Sequence, residues 1–156
     1  PTSRNIEKLA KQNGCDGWAI INLSTQVIDC YDNISLSVSD NDINENIDFI
    51  KEFLLNTKLE KFVVGWGDIV NELPYLKDCS LKILDLLKLE KIECIELTKK
   101  GNPYSAAPMA VNRNLGGISN VELKPFNKPL KKEYDLTDDL DTILKTVKNI
   151  LDNYKK

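Results

Sequence analysis

The stretch Lys61-Phe62-Val63-Val64-Gly65-Trp66-Gly67-Asp68 decides the fold of this chain. Phe62, Val63 and Val64 are strand formers. An unbroken apolar run of this length predicts a short strand covered on both faces. Gly65 and Gly67 flank Trp66 in a tight turn, and glycine lets another backbone or a ligand come close. In open α/β sheets ligands bind beyond the carboxyl ends of the strands. Trp66, Gly67 and Asp68 are therefore candidate binding residues. Trp66 has two readings, a residue of a strand-end site or a core anchor held between turn glycines.

Upstream of this strand, Ile6, Leu9 and Ala10 recur at helical spacing over residues 3–13. Thr2 or Ser3 is placed to cap that helix and Gly14 to stop it. Trp18-Ala19-Ile20-Ile21-Asn22 predicts a second buried strand, with Asn22 and Leu23 at its carboxyl end. Asn22 is either a turn former or a pocket reader with both a donor and an acceptor. Residues 24–41 form a long irregular stretch punctuated by Val27, Ile28, Tyr31 and Ile34, of the kind that often binds. Ser39 to Asp42 offers caps for a helix over about 43–56, with Ile43, Ile47, Ile50 and Leu54 as its apolar stripe.

Downstream, Pro74 introduces a helix over about 75–88. Ile92-Glu93-Cys94-Ile95-Glu96-Leu97 reads as a third strand, whose mixed alternation predicts an edge position. Thr98 to Met109 reads as a loop at that strand's carboxyl end. Gly116-Gly117 is a bend, and Val121 with Leu123 marks a short strand. Strands separated by helices imply βαβ units. The expected fold is α/β, a three-layer sandwich around a small, mainly parallel sheet, plus a C-terminal helix. The domain is expected over residues 1–123, with a linker and amphipathic helix over 124–156. In that helix Leu140, Leu144, Val147, Leu151 and Tyr154 follow a 4-3-4-3 spacing. It either docks on its own domain or associates with a partner.

Composition narrows the chemistry. The chain has 156 residues, a net charge of −3 and no histidine. Histidine-dependent triads, metal sites and proton shuttles are excluded together. Cys15, Cys30, Cys79 and Cys94 form no C-x-x-C pair, so no metal or other cofactor is expected, and free thiols fit a cytoplasmic setting. No apolar run approaches a membrane span. Residues 1–123 carry 13 basic and 18 acidic side chains, against 8 and 6 over residues 124–156. An acidic body predicts weak or no DNA binding.

Trp18–Leu23 (WAIINL), Phe62–Gly67 (FVVGWG) and Gly101 onward (GNPYSAAP) stand in an order that resembles the uracil-DNA glycosylase superfamily. More closely the chain resembles an uncharacterised bacterial family related to those enzymes, the pseudo-uracil-DNA glycosylases. Thr2–Arg4, Asn22-Leu23, Glu45-Asn46, Trp66-Gly67 and Gly101–Pro103 carry this likeness, which covers roughly residues 1–109. In the active enzymes an acidic loop after the first strand activates water, an Asn reads uracil, and a His supports the leaving anion. The resemblance puts Asn22 at the Asn position. Ser105-Ala106 stands where His-Pro is usual, and the first strand with its acid would lie before Pro1.

The resemblance therefore implies a catalytically silent protein of a mobile genetic element that acts by binding. The implied partner is a uracil-DNA-glycosylase inhibitor protein, a small acidic mimic of DNA. Asn22, Tyr31, Trp66, Gly67, Asp68, Pro103, Tyr104, Ser105 and Met109 are the candidate binding residues. A second reading is a base-excising enzyme with Asp68 or Asp16 as general base. A third is a nucleotide held in the strand-end crevice.

Overall fold

A computed structural model describes residues 2–26 and 35–127. Tyr31, Cys30 and the expected C-terminal helix lie outside the described residues.

The first helix, α1 (Thr2–Gln12), buries Leu9. It ends where expected: the Gly14 amide donates to the Lys11 carbonyl at 3.2 Å and the Cys15 amide to Ala10 at 3.0 Å. That paired closure satisfies the last carbonyls of the helix. Helix α2 (Asp40–Asn56) starts at Ser39, whose hydroxyl accepts from the Asp42 amide at 3.1 Å. Its expected stripe is realised, with Ile43, Ile47 and Ile50 buried.

Strand β1 (Phe62–Val64) follows, then a 3₁₀ turn over Gly67–Asn71. Helix α3 (Pro74–Leu86) has Pro74 in its first turn, where a missing N–H costs nothing. Strand β2 (Ile92–Cys94), helix α4 (Pro108–Leu115), a short 3₁₀ turn at Ile118–Asn120 and strand β3 (Lys124–Pro125) complete the described chain.

The sheet order is β1-β2-β3. Strands β1 and β2 run parallel, with Val63 opposite Glu93, and β2 and β3 run antiparallel, with Cys94 opposite Lys124. The sheet is thus mixed, not mainly parallel as expected. The reason is the return of the chain at Lys124–Pro125, where the Phe126 amide closes on the Ile92 carbonyl at 2.8 Å. Pro125 lacks an N–H and so suits this outer strand. Phe126 is itself buried, against Val64, Leu84 and Cys94. The folded unit therefore runs past the expected boundary at 123–124.

Five further expectations need correction. Ile92–Leu97 is not an edge strand: its first three residues form the central strand, because β3 covers the side the alternation left open. β1 is not covered on both faces. Val64 is buried, but Val63 is 43% exposed, since β1 lies at the sheet edge. Trp18–Asn22 forms no strand, and Trp18, Ile20 and Ile21 are exposed. An apolar run becomes a strand only with a ladder partner, and these residues find none among the described residues. The Thr98–Met109 loop ends sooner than expected, because α4 begins at Pro108; the short strand lies at Lys124–Pro125 and not at Val121 and Leu123.

The helices pack in clusters that include sheet residues. Ile43, Ile47 and Ile50 of α2 pack with Cys79, Ile83 and Leu87 over Phe62 and Ile92. Leu84 of α3 meets Val64 and Cys94. In a separate cluster Leu9 of α1, Val111 of α4 and Ile118 close over Ile95. Glu93, 8% exposed, sits 3.8 Å from Lys61 and 3.6 Å from Lys91. No helix of the described residues is long and apolar enough to cross a membrane.

Candidate functional site

The carboxyl ends of the two parallel strands each lead into a loop, and the loops are joined. After β1 the chain turns at Gly67, whose φ of +72° is a conformation side chains rarely adopt. That turn aims the Gly67 amide at the Pro103 carbonyl, 2.8 Å away. Gly65 lies directly under the second loop. A Cβ there would stand 2.9 Å from the Tyr104 carbonyl oxygen, so no larger residue fits without a backbone shift.

The second loop is built on Thr98. Its amide donates to the Asn102 carbonyl at 2.7 Å, and its hydroxyl oxygen accepts from the Lys100 and Asn102 amides, each at 3.2 Å. Leu97 and Pro103 bridge as a last antiparallel pair. The Tyr104 amide returns to the Glu96 carbonyl at 2.9 Å.

Asp68 is the junction of the two loops. Its Oδ1 accepts from the Thr98 hydroxyl at 2.6 Å and from Asn102 Nδ2 at 2.8 Å. These two donors, with Lys100 nearby, hold the carboxyl below the usual aspartate range. Asn102 is fully buried, so its side chain is committed to the interior. A carboxylate so engaged is a poor proton acceptor; its role is to fasten one loop to the other.

The structure brings together Trp66, Gly67, Asp68, Pro103, Tyr104 and Ser105. Trp66 is drawn inward: its ring meets Phe126 edge-on, with centroids 5.8 Å apart, and it packs beside Val70 and Leu73. Its indole Nε1 is buried without a hydrogen-bond partner among the described residues. Ser105 turns the loop into α4, its hydroxyl accepting from the Ala107 amide at 3.2 Å. Met109 sits on the outer side of α4 and is 69% exposed. Among the described residues Asn22 makes no hydrogen bond to this assembly, although Leu23 beside it packs on the same cluster as Trp66. Asn22 lies on the exposed 18–22 segment, where its carbonyl and that of Leu23 each accept from Asn46 Nδ2 at 3.3 Å.

Thr98 and Asn102 are the two site residues that sequence reasoning passed over. Their signal was the turn Thr98-Lys99-Lys100-Gly101, in which a hydroxyl residue three positions before a glycine organises its own backbone. Among the described residues no group of three or more Cys, Asp or Glu is placed to hold a metal ion. A depression of about 220 Å³ lies at the opposite end of β2, lined by Leu84, Lys88, Ile92 and Phe126, away from the joined loops.

This is an α/β domain with a hydrogen-bonded two-loop platform at the carboxyl ends of its parallel strands. The chain belongs to the family DUF1643, described as protein of unknown function, whose model matches residues 1–104. The matched stretch holds both halves of the platform as far as Tyr104. Nothing among the curated proteins or the solved structures matches the chain.

Proposed function

We propose that this protein is a uracil-DNA-glycosylase-like domain without base-excision chemistry, and that it works by binding through the two-loop platform. The three-layer, glycosylase-like character of the fold is part of this proposal. So is its setting, the cytoplasm of a cell carrying the mobile element that encodes it. The partner is an acidic, DNA-mimicking protein of the uracil-DNA-glycosylase inhibitor kind.

The engagement of Asp68 carries this reading. The carboxylate at the strand ends is fastened to Thr98 and Asn102, so it supports loop geometry in place of water activation. The other element of an excising site, Asn22, makes no hydrogen bond to Asp68 among the described residues; its carbonyl accepts from Asn46. A platform held by these bonds and by the Gly67–Pro103 contact loses little freedom on docking, which favours affinity.

Calorimetric titration of the inhibitor protein into the wild-type chain and into Tyr104→Ala and Met109→Ala tests the surface. Met109 is open to a partner and Tyr104 lies on the loop above Gly65. Each substitution is expected to weaken the complex by about tenfold or more, the range of an interface anchor. Unchanged affinity for both would remove this surface from the reading.

A further inference from the structure

Ion pairing is uneven across the molecule. Of the cationic side chains among the described residues, seven stand within 4 Å of a carboxylate and seven do not. Five of the unpaired seven are Arg4, Lys8, Lys99, Lys100 and Arg113; the other two are Lys58 and Lys77. Arg4 and Lys8 lie on α1 and Arg113 on α4, two helices that share a core, and Lys99 and Lys100 lie on the loop that leads into α4; these segments make up the layer. Leu9 of α1, Ile95, Val111 of α4 and Ile118 share one core. Asn5 Nδ2 donates to the Ala106 carbonyl at 2.8 Å, and Gln12 Nε2 to the Ser119 carbonyl at 3.2 Å.

The layer is also poor in carboxylates. Residues 97–121 contain three cations and no acidic side chain. On α1, Arg4, Lys8 and Lys11 recur at the spacing of one helix face. The one acid of that helix, Glu7, is taken by Lys11 at 2.7 Å. Leu97 and Met109, in the 97–121 stretch, are exposed. By contrast α2 carries five acidic residues and one lysine.

We infer that the partner surface extends from the platform onto α1, and that Arg4, Lys8, Lys99, Lys100 and Arg113 form its electrostatic half, matched to an acidic face of a compact protein. This rests on the binding reading above. A compact partner meets the basic layer alone. An extended polyanion such as duplex DNA would also feel the acidic α2 and the net charge of −3. Cations left unpaired at a surface chiefly raise the association rate, an effect that salt removes.

The test compares three charge-reversed pairs of equal net change: Arg4→Glu/Lys8→Glu, Lys99→Glu/Lys100→Glu, and Lys58→Glu/Lys77→Glu as the control outside the layer. Association with the uracil-DNA-glycosylase inhibitor is followed by stopped flow at about 25 mM and about 300 mM salt, where screening differs severalfold. Both layer variants are expected to associate about tenfold more slowly at low salt, the control within about twofold, with the differences collapsing at high salt. Layer variants that match the control would overturn the inference while leaving the binding reading intact. If the wild-type chain does not bind the inhibitor, that reading fails, and retention on immobilised poly-glutamate decides the layer by itself. Retention lost only in the layer variants would keep it; equal retention in all three would end it. Tighter retention on duplex DNA than on poly-glutamate would overturn the class of partner.

Discussion

Asp68 accepts from both Thr98 and Asn102 through a single oxygen, so removing it takes one acceptor from two donors at once. Asp68→Ala is expected to cost about 1–3 kcal/mol through the loss of these two hydrogen bonds to a charged acceptor. Urea denaturation measures this, and Asp68→Asn should lose less because it keeps an acceptor. The linkage with pH has a definite sign. The folded-state pKa of Asp68 lies below 3.8, the value of an unperturbed aspartate. Its contribution is therefore complete above that value and is lost as pH falls through the depressed one. Stability curves measured from about pH 6 down to about pH 2 should be steeper for the wild type than for Asp68→Ala; parallel curves would deny Asp68 this role. Gly65→Ala tests the other fastening. With the Tyr104 carbonyl 2.9 Å from the new carbon, one loop must move, and a loss of about 1–3 kcal/mol is expected in the same assay.

Among the elements, those governed by local chemistry were readable from the sequence and those governed by pairing were not. Ser39 and the stripe of Ile43, Ile47 and Ile50 announce α2, because caps and helical periodicity are properties of neighbouring residues. Ser39→Ala should cost about 1 kcal/mol in a thermal melt. The strand reading of Trp18–Asn22 fails for the opposite reason. Strand composition is present, but a ladder needs a distant partner that composition does not name. Strand β3 was legible in neither composition nor period, being two residues long with a proline in it. Helix α4 had both of its punctuation marks, Pro108 at the start and Gly116 at the end, yet it is only eight residues long and buries only Val111. Phe126 shows what the late return of the chain contributes. It is 7% exposed and holds Trp66 edge-on. Phe126→Ala is expected to cost about 3–5 kcal/mol, as for a large core residue. A loss below about 1 kcal/mol would place Phe126 outside the cooperative unit.

At the scale of the whole molecule, the strand-then-glycine pattern of Phe62–Gly67 locates a loop at a carboxyl edge whatever the rest of the sheet does. The candidate site was half legible. Trp66 to Asp68 and Pro103 to Ser105 do converge, while Asn22, on a segment that pairs with no strand among the described residues, makes no hydrogen bond to them. The fastening residues Thr98 and Asn102 emerge only from the geometry, since the sequence does not say which polar side chains will face each other across loops 30 residues apart. The proposed function joins a structural carboxylate at the strand ends to a docking surface on the loops: binding without excision. The most direct test is calorimetric titration of the full chain with a uracil-DNA-glycosylase inhibitor protein, with uracil excision from single-stranded DNA measured on the same preparation. Saturable binding with no excision is the expected result. Excision that Asp68→Asn abolishes would contradict the claim, because the fastened carboxylate would then be a catalytic base.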